Sequence, residues 1–403
     1  MFDLLKWWFT LEMMALIGLP IVAFLFPGLK DKGISVARLL GLLLVAYPVW
    51  LFSHWRPLFG TTLIVTVFVG WGLVAAVLFW VDFKNWDRTM LRPKDLFVSE
   101  IVWLSSLLIL AWIRSYNPEI EGMWKGGGSE KFMDLNFINS ILMSQQFPPQ
   151  DNWFHGFPIN YYYYGYYLCA VMVKLTGVLP HVGYNLMTVT VYALAINGLW
   201  GLLRNLNCKM VWSALGVFLA FLATNLKTAW LGLTLSSQEQ MWIPWRSSRV
   251  IDLETDRTIN EFPWFSFLWN DLHGHLSALP IEVGILALCW GMIVSLGSVG
   301  VGRLIFQALL IAIAYGSLVV SNAWDIPCYA AVIAFSLLAA LSIREWTKPY
   351  TWAETQKLIF QMVVLWISLA AVFKIFFRGF FANFVPPTSG HNVVPWEMKS
   401  PLG

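Results

Sequence analysis

The run YYYYGYYLCAVMVKLT, Tyr161–Thr176, decides the topology of this chain. It is apolar but short, since a hydrocarbon core needs roughly 20 apolar residues per helix. Longer apolar runs lie at Leu11–Phe26, Val36–Phe52, Thr61–Val81, Leu96–Ile113, Val182–Leu203, Val211–Leu226, Leu276–Leu296, Leu304–Val320, Ile326–Ile343 and Leu358–Phe377. The basic short connections between them are Lys30/Lys32/Arg38, Lys84/Arg88/Arg92/Lys94, Arg204/Lys209, Arg303 and Arg344/Lys348/Lys357. If Tyr161–Thr176 crosses, the last three groups move to the side opposite the first two. If it does not, all five share one side, as cations in short cytoplasmic loops do. We therefore read it as a juxtamembrane helix, which gives ten spans, external termini and external long loops in the cell (plasma) membrane.

Composition agrees with this reading. Of 403 residues, 58% are hydrophobic and 12% charged, against roughly 25% charged in soluble proteins. A soluble catalytic domain is excluded, and the expected fold class is all-α and polytopic. Aromatics make up 16%, and indole and phenol rings favour the headgroup region, so membrane lipid is the first partner. A net charge of +3 gives no footprint for nucleic acid. The four cysteines lack metal-ligand spacing and read as small apolar fillers. Leu11–Phe26 reads as a retained span, because no cleavage site follows it. Residues 1–94 are expected to form a three-helix extension, followed by a module, 95–403, that carries external loops 114–160 and 227–275.

Three constellations on the external side could carry chemistry. Glu130–Gln146 has the apolar pattern of a surface helix bearing Asp134, and the segment with His155 and then Tyr161–Tyr164 follows it. An acid between two such helices makes a pocket at the lipid–water boundary, or is one solvated carboxylate among several. Asp271-Leu-His273-Gly-His275 precedes a span, and in extended backbone its alternate residues share a face. Such a set suits a divalent metal ion or a phosphate, or alternatively a helix cap. Asn322 and Asp325 sit in a corner between two spans, where a carboxylate is costly unless it is functional or hydrogen-bonded. After the last span come Arg378, which would snorkel or clamp a phosphate, and His391.

These motifs resemble a known set. Met133-Asp134 through Ile141, Phe157-Pro158-Ile-Asn160 with the tyrosine run, Asp271–Pro280 and Asn322–Pro327 resemble, in order, the YYY-motif family of integral membrane proteins (Chlor-Arch-YYY type). That family is similar to the GT-C superfamily of membrane glycosyltransferases, which use polyprenyl-phosphate sugar donors. The resemblance implies that Asp134 is the general base, with Asp271 a second catalytic acid. It also implies that His273 and His275 contact the phosphate, while external placement makes His155, Tyr162, Tyr163, Asn322, Asp325, Arg378 and His391 further candidates for contact with substrate or phosphate. Any metal would be held by Asp271, His273 and His275. The alternatives are a lipid or solute transporter and a non-catalytic scaffold, including a split protein completed by a partner membrane subunit.

Overall fold

The computed structural model describes residues 2–82, 93–120, 130–223, 225–236, 243–249, 258–295, 298–347, 351–356, 359–360, 363, 367 and 375–386. Its helices are α1 (Phe2–Leu25), α2 (Ile34–Trp55), α3 (Thr61–Asp82), α4 (Pro93–Ser115), α5 (Lys131–Met143), α6 (Tyr164–Thr176) and α7 (Pro180–Asn205). They continue as α8 (Met210–Phe221), α9 (Leu226–Thr234), α10 (Ile243–Ser247), α11 (Pro263–Trp269), α12 (Gly274–Ser295), α13 (Val301–Ser321) and α14 (Ile326–Thr347). Seven of them, α1 to α4, α7, α12 and α13, are long and apolar enough to cross a membrane. The chain is an all-α polytopic membrane protein.

The expected span Val211–Leu226 resolves into α8 and α9, whose axes differ by 72°. The span expected at Ile326–Ile343 corresponds to α14, and most of Leu358–Phe377 lies outside the described residues. Among the described residues there is no strand, only an isolated pairing of Gln150 with Pro158.

Helix α6 begins and ends at one end of the bundle. Just before it, Tyr161 reaches His273; at its C-terminal end, Lys174 bonds the Leu142 carbonyl at the end of α5. At 13 residues it is about 20 Å long, too short to cross. Yet Tyr164 to Val173 are all buried, so α6 sits inside the bundle rather than lying flat on it. Its tyrosines therefore line protein, not headgroups.

Helix α2 is the most enclosed span and α3 the least. Among the cations read from sequence as loop residues, Arg38 is instead inside α2 and buried. Glu12 of α1 and Glu100 of α4 compensate its charge. Helices α1 and α2 meet without an intervening side chain at Gly41, where an added Cβ would stand 1.9 Å from the Met14 carbonyl oxygen. Small residues at membrane helix crossings let backbones approach in this way. Gly41→Ala is expected to destabilise the bundle by about 1–3 kcal/mol through overpacking, read as a lower melting temperature in detergent. Gly72→Ala, with nothing within 4 Å of the added carbon, should leave the melting temperature unchanged or slightly higher.

Candidate functional site

The site forms where α5, α6, α7 and the turn before α12 converge. Helix α5 presents Asp134 in its first turn. The segment after α5 is pinned to it, because Asp151 accepts from Asn136 and from the Trp153 amide. The Asp134 side chain is fully buried. Tyr166 of α6 donates to its Oδ1 at 2.5 Å, and the Tyr184 hydroxyl of α7 lies 3.2 Å from Oδ2. Tyr184 Oη also stands 3.1 Å from the Asn270 carbonyl and accepts from the Leu272 amide. Its one proton is thus shared between two acceptors.

Asp271 reaches the same place through a helix stop. Helix α11 ends at Asn270, which adopts the left-handed conformation with φ 58°. The Asp271 amide then bonds the Ser266 carbonyl, a Schellman-type closure that turns the chain inward. Gly274 follows, and a Cβ there would stand 2.6 Å from the Ser321 carbonyl oxygen. Only glycine lets the start of α12 approach the end of α13 this closely.

One ligand atom each from Asp134, Asp271 and His273 lie within 4.8 Å of one another. His273 Nε2 is 2.6 Å from the Tyr161 hydroxyl, while Nδ1 faces Glu130 Oε2 at 3.0 Å and Asp134 Oδ1 at 3.8 Å. Asp271 Oδ1 is buried without a hydrogen-bond partner. Two carboxylates and an imidazole nitrogen form an oxygen- and nitrogen-rich donor set suited to a divalent cation such as manganese or magnesium. Burial and, next, the Asp271 carboxylate push the Asp134 pKa well above the usual range, although the two tyrosine hydroxyls pull it down. Burial also raises Asp271, against the opposing pull of His273. Tyr166 is held protonated by burial and by Asp134, so it acts as a standing donor. Lys131, nearly one turn before Asp134 on α5, is lowered to about 8, chiefly by burial and then by Arg114.

The other residues singled out from sequence fall in different places. His275 does not join the Asp134 group: its Nε2 faces Glu261 Oε2 at 3.1 Å and Ser266 Oγ at 3.3 Å. The reason is local, because α12 begins at Gly274 and ends the extended alternation that would have put His273 and His275 on one face. Tyr163 is buried among Phe147 and Phe380, with its hydroxyl 3.5 Å from His54. Tyr162 packs on Tyr161 and Phe384. His155 is exposed on a turn and Arg378 is exposed at the start of the one-turn helix Arg378–Phe381. Asn322 donates to Asp325 at 2.9 Å, and Asp325 faces Glu282 of α12 rather than Asp134. His391 lies outside the described residues. Sequence reasoning missed Glu130, Tyr161, Tyr166, Tyr184 and Glu261 as site members.

A family model described as an uncharacterized membrane protein (DUF2298) matches residues 44–403. The chain belongs to the DUF2298 family. The match spans both arms of the site, from Asp134 to the Asp271–His273 turn. No curated protein and no solved structure matches this DUF2298 chain.

Proposed function

We propose that this DUF2298 protein is a membrane glycosyltransferase that moves a sugar from a polyprenyl-phosphate donor to an acceptor hydroxyl on the external face. The observation that carries the reading is the convergence of Asp134 with Asp271 and His273 from a distant loop, in a largely buried polar cluster. Asp134 takes the acceptor proton as the acceptor oxygen bonds to the anomeric carbon. The bond from that carbon to the phosphate oxygen breaks, and polyprenyl phosphate leaves. A carboxyl pKa raised by burial makes Asp134 a stronger base than a solvated carboxylate. Asp134, Asp271 and His273 are the residues that would hold a divalent cation, which would supply stabilisation of the leaving phosphate.

A cleft of about 810 Å³ adjoins the site between α1, α4, α5 and α7. Its lining is mostly apolar, as at Leu4, Phe132, Leu135 and Val189, with Arg114, Ser115, Glu119, His181 and Asn185 as its polar members. That mixture suits a lipid-linked phosphate. Asn185 ties Arg114 to Asn270, the residue before Asp271, through bonds of 3.0–3.2 Å.

The test is transfer of labelled sugar from polyprenyl-phosphate donors by membranes containing the chain, with chelator expected to reduce it. Titration of the purified chain with Mn²⁺ checks the cation separately. Asp271→Asn should weaken Mn²⁺ binding by roughly 10–100-fold, and undiminished binding would remove the metal from the scheme. One observation favours a second reading, a lipid or solute transporter. Glu282 of the α12 span faces Asp325 and accepts from Tyr329 at 3.3 Å, and intramembrane carboxylates serve coupled transport. Substrate flux across vesicles without sugar transfer would support it.

A further inference from the structure

A second cavity lies at the opposite end of the bundle. Helix α7 runs from Tyr184 beside Asp134 to Arg204 beside this cavity, and its 26 residues span roughly 39 Å. The cavity has a volume of about 620 Å³ and is lined by Lys30, Lys32, Arg204 and Lys209, with Asp31 and Asp95 as its acids. Among the described lining residues four cations stand with two carboxylates; Lys32 is buried with its Nζ on the Pro27 carbonyl, so Lys30 and Lys209 are the cations that would face a ligand. Asp31 is occupied in holding the start of α2, accepting from the Gly33 amide at 3.0 Å, Ser35 Oγ at 2.6 Å and Asn205 Nδ2 at 2.8 Å. Asp95 stands 3.9 Å from Arg204. Lys30 bonds the neutral side chain of Asn207, and Lys209 is exposed at the N-cap of α8.

We infer that this cavity binds the phosphate of an anionic membrane phospholipid. The location selects a lipid: the cavity is built from the ends of spans, where headgroups stand, and Met210 on its wall leads to the exposed apolar Val211 and Trp212 of α8. Basic pockets between membrane helices on the cytoplasmic side hold anionic headgroups by the same logic. Low-dielectric walls concentrate the field of the lysines on an entering phosphate. The inference is independent of the chemistry proposed for Asp134.

The experiment uses the purified full chain in neutral detergent and titrates dioleoylphosphatidylglycerol or dioleoylphosphatidylcholine, with native mass spectrometry counting retained lipid. One phosphatidylglycerol per chain is expected to be retained in preference to phosphatidylcholine. Lys30→Gln/Lys209→Gln should weaken phosphatidylglycerol binding roughly thirtyfold, about fivefold for each charge removed. Lys30→Arg/Lys209→Arg keeps both charges and should keep the affinity, and Lys6→Gln at the other end should change nothing. Equal affinity for the two lipids, undiminished binding by the glutamine pair, or loss in the arginine pair would each overturn the assignment. So would displacement of the lipid by inorganic phosphate at equal concentration, which would make the ligand a soluble phosphate.

Discussion

Asp134→Asn is expected to lower sugar transfer by about 10²–10⁴-fold, the usual contribution of a positioned general base. The substitution preserves volume, and the amide oxygen can still accept from Tyr166, which bonds Oδ1 at 2.5 Å. It also removes a buried ionisable group, so the bundle should melt at or above the wild-type temperature. What it removes is the ability to take a proton. Asp134→Glu, which restores a carboxylate about one methylene away, should recover part of the rate. Tyr166→Phe removes a donor that favours the carboxylate and should shift the pH dependence of transfer toward higher pH. The measurement is initial rate of labelled product against pH for the four proteins. Equal rates in wild type and Asp134→Asn would end the base assignment, whereas absence of transfer in all four would count against the glycosyltransferase reading itself.

Much of this site was legible in the sequence, and the portion that was not has a physical cause. Apolar run length located seven helices long and apolar enough to cross a membrane, and the shortness of Tyr161–Thr176 agrees with α6, which at 13 residues is too short to cross. Asp134 stood out through the surface-helix pattern around it and the family resemblance, and Asp271 and His273 through their alternate spacing before a span. Tyr166 and Tyr184 did not stand out. A tyrosine in an apolar helix reads as an interfacial anchor, and only the burial of α6 turns Tyr166 inward toward Asp134. Tyr163 is the converse case, one residue of the same run whose side chain faces His54 instead. The His275 assignment depended on extended backbone, and a helix beginning at Gly274 changed its direction. Pairings between residues more than 100 positions apart, such as Tyr161 with His273, leave no local periodicity to read.

Arg38→Met is expected to destabilise the folded bundle by about 3 kcal/mol, the lower end of the roughly 3–5 kcal/mol found when one partner of a buried ion pair is removed. The lower end applies because the Glu12 and Glu100 side chains keep 24% and 37% exposure, while Arg38 keeps 2%. The guanidinium bonds Glu12 through Nε and Nη2, the latter at 2.6 Å, and Glu100 through Nη2 at 2.5 Å. Trp103 adds a bond to Glu12 at 2.9 Å and an indole face 4.6 Å from the guanidinium carbon. One side chain thus joins α1, α2 and α4. Methionine fills the aliphatic volume but leaves two carboxylates facing each other in a low-dielectric setting. Most of the loss should therefore be that uncompensated charge rather than missing contacts. The discriminating measurement is thermal or denaturant unfolding in detergent of Arg38→Met beside the triple variant that adds Glu12→Gln and Glu100→Gln. Recovery of most of the lost stability in the triple variant is expected, because neutral glutamines need no cation. Equal destabilisation in both would mean that Arg38 acts by packing, and the electrostatic account of this three-helix junction would fail.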